Sequence, residues 1–249
     1  MSKKVWGLIP ARLESSRLPR KALSVLHGLP MIIHVAKRSA LSKLLDEVVV
    51  CTDSAKIAQA CFKYSVKVCI TPAYCKNGTE RILSAKRRLK IPSDDLIIDI
   101  QGDEPLVDPK SIDKVTAYLI ENIKKTDIIL PHINLCPAQN KNVVKVISSG
   151  NKVLCLTRAD VPYPFNRDSP LKKHLSIIGF TGKSLETFGT LPVGELESTE
   201  GIELLRALEG GMRILTFGVD ADSFSIDIPE DLARADRALR NCPVFQGGY

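Results

Sequence analysis

Three cations and two hydroxyls, Arg12, Ser15, Ser16, Arg17 and Lys21, crowd the short loop between Leu8 and Leu23, where Arg20 adds a fourth cation. Arginine offers a planar fork of N–H donors and lysine a mobile point charge, so the set suits a ligand with several phosphate oxygens. Backbone N–H groups near Ser15 and Ser16 would supply further donors. The same residue types also make ordinary solvated surface loops; position is what favours the cradle. Val5–Ile9 is a short apolar run of the kind buried in a parallel sheet. Pro10 has no N–H to give a ladder, so the strand is predicted to end there. The loop then crosses the carboxyl edge of the sheet, where open α/β sheets bind ligands at the point where strand order reverses.

Carboxylates come next. Asp99-Ile100-Gln101-Gly102-Asp103-Glu104-Pro105 closes the most apolar strand of the chain, and Gly102 permits a sharp turn that carries the acids to the ligand edge. A carboxylate beside a polyphosphate loop suits Mg2+, which takes oxygen ligands and often bridges to substrate phosphates; an acidic helix-capping turn is the equally open alternative. A metal held by one carboxylate would lean mostly on its substrate, and the segment Ser225–Leu232 offers a partner in Asp227. Pro229 suits the first turn of a helix there, with Glu230 and Asp231 at its positive end, so capping alone would also account for these acids. Asn77-Gly78-Thr79-Glu80-Arg81 reads as a helix start. Arg158 could hold a carboxylate bidentately. His174 is a lone histidine, a type more often structural than ligating.

Positioning such groups calls for alternating strands and helices, and the chain supplies them. Strands are predicted at Val5–Ile9, Glu47–Thr52, Lys67–Ile70, Leu96–Ile100, Asp127–Leu130, Val143–Ile147, Ile177–Thr181 and Met212–Phe217. Helices are predicted at Met31–Ser39, Ala55–Tyr64, Gly78–Arg88, Pro109–Lys124, Glu200–Glu209 and Pro229–Leu239. That pattern implies an α/β fold, a mainly parallel twisted sheet flanked by helices on both faces. Stretches near Pro137–Asn142 and Val161–Pro170 read as loops. There is no internal repeat or low-complexity linker, and Asn241–Tyr249 carries no signal.

A chain of 249 residues with 44% hydrophobic content can bury a full core in one domain. Its net charge of +7 suits small anionic substrates and would equally suit nucleic acid. Against nucleic acid, only 5% of residues are aromatic and the basic cluster Lys86-Arg87-Arg88 lacks interleaved stacking residues. Seven cysteines include no C-x-x-C pair and no zinc-like spacing, which implies reduced thiols and a cytoplasmic location. No apolar leader or bilayer-length run is present, so membrane insertion is not expected.

In their order along the chain these motifs resemble one family. Ile-Pro-Ala-Arg at 9–12, Ser-Arg-Leu-Pro at 16–19 and Lys21 are similar to the signature loop of the 3-deoxy-manno-octulosonate (Kdo) cytidylyltransferases, the CMP-Kdo synthetases. Sialate cytidylyltransferases share Ile-Pro-Ala-Arg but continue with a Gly-rich stretch absent here. Gln101–Pro105, Asn77–Arg81 and Ser225–Leu232 resemble further motifs of the Kdo family. So do Thr157–Pro162, Lys173–Leu175 and Leu196–Arg206, and the resemblance runs from Ile9 to about Leu232.

The resemblance implies a Rossmann-like nucleotidyltransferase fold and transfer of CMP from CTP to the anomeric hydroxyl of Kdo, with release of pyrophosphate, for lipopolysaccharide assembly. It implies Lys21, Arg17, Asp103 and Asp227 as catalytic residues, the two acids holding Mg2+. Nucleotide contacts go to Pro10, Ala11, Arg12, Ser16, Asn77, Gly78, Arg81 and Gln101, and sugar contacts to Arg158, His174 and Glu203. Glu200 and Glu203 are expected on neighbouring turns of one helix. A homodimer is implied, with a dimerisation and sugar-binding portion around 130–210. Departures are visible too. The family's Gly and Pro beside the loop lysine are Arg20 and Ala22 here. Its Gly and two Tyr after the His-Leu pair are Ser176, Ile178 and Phe180, and a sugar-contacting Gln is Leu204. Losing hydrogen-bonding groups from a sugar pocket changes which substituent is accepted, so a modified acceptor such as 8-amino-Kdo is an open alternative. A non-catalytic binding paralogue is another.

Overall fold

A computed structural model describes residues 3–14, 18–135, 140–221 and 223–249. In chain order they form β1 (Val5–Ala11), a 3-10 turn (Lys21–Leu23), β2 (Val25–Leu26), β3 (Leu29–Pro30) and α1 (Met31–Ser39). Next come β4 (Glu47–Thr52), α2 (Ala55–Lys63), β5 (Val68–Ile70), α3 (Gly78–Arg88), β6 (Leu96–Ile100), α4 (Pro109–Asn122) and β7 (Ile128–Leu135). The remainder is β8 (Lys145–Ser149), β9 (Lys152–Thr157), β10 (Leu171–His174), β11 (Ile177–Thr181), α5 (Gly182–Thr190), α6 (Glu195–Glu200), α7 (Leu204–Glu209), β12 (Ile214–Gly218), α8 (Pro229–Arg240) and α9 (Pro243–Gln246).

One sheet carries the fold, with strand order β10-β8-β9-β12-β7-β11-β6-β1-β4-β5. The half made of β5, β4, β1 and β6 is wholly parallel. β11 then pairs antiparallel with β6, and the far half mixes both directions. The chain runs outward from β1 to β4 and β5, then returns to lay β6 on the other side of β1. Strand order therefore reverses between β1 and β6, and the crevice beyond their carboxyl ends is where this architecture binds ligands.

Alternation along buried strands builds a core on each face. Leu8, Val49, Cys51 and Ile97 meet Ile82, Leu83, Leu185 and Phe188 of α3 and α5. Ile9, Val50, Ile98 and Ile100 meet Ile32, Ile57, Ile112 and Val115 of α1, α2 and α4. A third cluster joins Leu26 and Met31 to Phe224, Ile226, Ala235 and Leu239, drawing the segment before α8 toward the loop that carries Lys21.

Pro10 does not end β1. Pairing with β4 continues through Ala11 opposite Thr52, whereas pairing with β6 stops at Leu8 opposite Asp99, so the missing N–H falls where one side has no ladder. β7 extends beyond the predicted Leu130 to Leu135. β9, β10 and α5 were not legible: β10 reads Leu-Lys-Lys-His, with three of its four residues charged or titratable, and α5 opens on a glycine. The single helix expected over Glu200–Glu209 is two, α6 and α7, separated at Gly201, whose φ of 62° is left-handed. The tail is ordered against α1: Tyr249 Oη lies 2.6 Å from His34 Nδ1 and the Phe245 ring packs on His27 and His34.

Candidate active site

A cavity of about 270 Å3 opens at the β1/β6 crevice, and Arg12 and Lys21 of the predicted cradle line it. The carboxyl end of β1 brings Pro10, Ala11 and Arg12, the last with an exposed side chain. Gly102 lets the turn after β6 close on that strand: a Cβ there would sit 2.7 Å from the Pro10 carbonyl oxygen. The turn thereby presents Gln101 and Asp103 to the cavity. Arg17 and Ser16 lie outside the described residues.

Asp103 and Asp227 converge from opposite ends of the sequence. The Ile226 N–H donates to the Asp103 carbonyl at 3.0 Å, which ties the segment before α8 to the turn after β6. Asp231, in the first turn of α8, accepts the N–H groups of Asp227 and Ile228 at 2.9 and 3.1 Å, the capping role predicted for it. Lys21 closes the group. Its Nζ lies 2.7 Å from Asp103 Oδ2, 2.7 Å from the Ile226 carbonyl and 3.4 Å from Asp227 Oδ1. A lysine expected on phosphate thus bridges the two acids.

α3 supplies the opposite wall. Asn77 caps it, its Oδ1 accepting the Glu80 N–H at 2.8 Å, and Asn77 and Gly78 line the cavity. Buried Arg81 donates to Thr71 Oγ1 at 2.8 Å and to Asp53 Oδ2 at 3.1 Å. Gln101 Nε2 donates to both oxygens of Asp99, at 3.3 and 3.2 Å. Asp99 had no assigned role from sequence. It is fully buried, and burial, reinforced by the charges of Glu203 and Asp103, holds its carboxyl well above the usual range. Its two oxygens hold the Gln101 amide in one orientation.

The expected sugar residues divide. Glu203 lines the same cavity, its Oε2 accepting the Thr79 N–H at 3.2 Å, with burial raising its carboxyl. Glu200, across the Gly201 break, turns away: it accepts from Thr157 Oγ1 at 2.7 Å and the Arg158 N–H at 3.0 Å, bonds that lower its carboxyl. Arg158 is not brought to the cavity. Its guanidinium is engaged by the carbonyls of Glu200, Lys141 and Gly201 at 2.7, 2.9 and 3.3 Å, and the buried Lys145–Asp160 pair braces the same turn. His174 is also away from the cavity wall. It faces His132 across the β10/β7 ladder, and its Nδ1 is buried without a hydrogen-bond partner among the described residues. Burial lowers both rings to about 4, so they are neutral at pH 7.

Three departures from the family pattern fall in the core, whereas Arg20 is exposed and Ala22 lines the cavity. Ile178, Phe180 and Leu204 are 6%, 0% and 3% exposed and join one apolar cluster, so none removes a polar group from the cavity wall. Ser176 has a polar partner in Glu104, whose carboxyl is pushed up by burial and accepts from Ser223 Oγ at 2.5 Å.

Among the described residues no three His, Cys, Asp or Glu side chains group as a metal site. Asp103, Asp227 and the Ile226 carbonyl form a smaller, all-oxygen set that already satisfies a cation, the Lys21 ammonium. Such a set fits Mg2+ when substrate phosphates complete the shell.

Comparison with known proteins places the chain among relatives of one kind. A family model described as cytidylyltransferase matches residues 6–214. A 3-deoxy-manno-octulosonate cytidylyltransferase of Nitratiruptor sp. is 38% identical over 93% of this chain and 98% of its own length. An 8-amino-3,8-dideoxy-manno-octulosonate cytidylyltransferase of Shewanella halifaxensis is 39% identical over 93% of this chain and 97% of its own. A solved structure of CMP:2-keto-3-deoxy-manno-octonic acid synthetase complexed with CTP superposes with a TM-score of 0.90 at 28% identity, covering 96% of this chain and 99% of that one.

Proposed function

The chain belongs to the cytidylyltransferase family, and we propose that it transfers CMP from CTP to the anomeric hydroxyl of Kdo or a Kdo-like sugar acid, releasing pyrophosphate. The observation that carries this reading is the meeting of Lys21, Asp103 and Asp227 at the crevice where strand order reverses, opposite the α3 wall. The CTP complex of the solved relative supports the nucleotide, and the two names borne by the relatives support the acceptor class.

Phosphoryl-type transfer is catalysed chiefly by positioning and charge neutralisation. The helix start at Asn77 and Gly78, with Arg81 and the oriented Gln101, forms a wall suited to the cytidine end. Arg12, Arg17 and Lys21 neutralise the triphosphate and the departing pyrophosphate. Asp103 and Asp227 hold Mg2+, which when bound polarises the α-phosphate and acidifies the attacking hydroxyl. Glu203 orders acceptor hydroxyls from the same wall. Arg158 and His174 act on the acceptor only from a rearranged state, since their present partners are backbone carbonyls.

The acceptor is Kdo, for lipopolysaccharide assembly, or its 8-amino form; relatives of both names stand at nearly the same identity. The reaction belongs in the cytoplasm, where CTP is made, and the assembly is a homodimer. Exposed Tyr163 and Phe165, 80% and 85% accessible, support a contact with a second copy in the 130–210 portion.

Asp103→Asn tests the acid pair. It is expected to fold normally and to lose at least a hundredfold in pyrophosphate release from CTP and Kdo; turnover near that of the parent chain would remove Asp103 from the mechanism.

A further inference from the structure

Lys21 bridges the acids that the proposed reaction assigns to the metal. We propose that Lys21 is the acid pair's resident counter-cation, and that a divalent ion takes Asp103 and Asp227 only as the triphosphate draws Lys21 away, so that metal and CTP bind together. This rests on the magnesium-dependent reading above.

The acceptors stay in place while the cation is free to leave. Ile226 is fully buried and its N–H is bonded to the Asp103 carbonyl, and Asp231 holds the backbone of Asp227. These contacts fix the Asp103 and Asp227 backbones and the Ile226 carbonyl about one point. Lys21 reaches that point on a flexible four-carbon stem from a 3-10 turn at the cavity rim. Its three contacts, at 2.7, 2.7 and 3.4 Å, match the three protons of an ammonium. A divalent ion using the same oxygens would stand against a like charge, and the two cannot share the space. A triphosphate in the adjoining cavity offers Lys21 new anionic partners and offers the metal the oxygens that two carboxylates lack. Each ligand removes an obstacle to the other, which is positive coupling.

Manganese binding to the full chain tests this, read by electron paramagnetic resonance of free Mn2+ and by water-proton relaxation of the bound ion. Nucleotide-free Lys21→Met is expected to bind Mn2+ at least tenfold more tightly than the parent, with Lys21→Gln behaving alike. Lys21→Arg keeps the cation and should bind as weakly as the parent. Adding Asp103→Asn to Lys21→Met should abolish the gain. With CTP present and no acceptor, the parent should take up protein-bound Mn2+. If Lys21→Met and Lys21→Gln, folded by circular dichroism, bind no better than a parent that does take up metal with CTP, the competition is overturned and the metal reading stands. If no form holds metal even with CTP, both fall.

Discussion

Arg20 shows how one residue type sets the local cost of a site. It precedes the Lys21 turn with φ 56° and ψ 29°, a left-handed backbone that an L side chain resists and glycine accepts. Arg20→Gly is therefore expected to stabilise the chain by about 1 kcal/mol and raise Tm by roughly 2–4 °C in a thermal melt. The histidines make a second residue-scale prediction. His132 and His174 titrate near 4 in the folded chain and near 6.5 unfolded, so between those values the unfolded chain binds more protons. Their contribution is complete above about pH 6.5 and is lost as pH falls toward 4, while Asp99, Glu104 and Glu203, whose values are raised, act in the opposite direction. Urea titrations of the parent and His174→Asn isolate the imidazole. Between pH 7.5 and 5.0 the parent should lose about 1–2 kcal/mol more than the variant; parallel pH dependences would mean that His174 is not held neutral by the fold. The placement of Asn77, Gly78, Arg81, Gln101, Asp103 and Asp227 in one cavity was legible because each follows a strand or opens a helix at the ligand edge. The placement of Arg158 and His174 was not. Their partners are carbonyls of Glu200, Gly201 and Pro131, and no local spacing encodes a contact with a distant backbone.

Among the elements, the closure of the turn after β6 on β1 is the tightest fit at the site. A methyl group at residue 102 would meet the Pro10 carbonyl at 2.7 Å, and that partner is backbone that cannot swing aside. Gly102→Ala should cost about 1–3 kcal/mol and weaken CTP binding at least tenfold by moving Gln101 and Asp103, measured by calorimetric titration; unchanged CTP affinity would show that the turn does not position them. The elements with strong periodicity, α1, β4, α3, β6 and β11, have the predicted bounds. The missed ones have physical reasons. β10 is stabilised by ladders to β7 and β8 and not by its own composition, and the helix predicted over Glu200–Glu209 contains a glycine whose left-handed φ could not be told from a tolerated interruption. That break separates Glu200 from Glu203 and sends them to different partners.

Over the whole molecule, function follows from topology. A parallel half turns back on itself between β1 and β6 and gathers a basic loop, an acid pair and a helix start at one edge. The mixed half adds Glu203 to that cavity and holds Ile178, Phe180 and Leu204 in its core. The central claim is cytidylyl transfer to an ulosonic acid. Its most direct measurement is pyrophosphate release from CTP with Kdo and 8-amino-Kdo in parallel, with the other product identified by mass. The account predicts magnesium-dependent release matched mole for mole by a CMP-linked sugar with at least one of the two; no release with either, or release without a CMP-sugar, would contradict it.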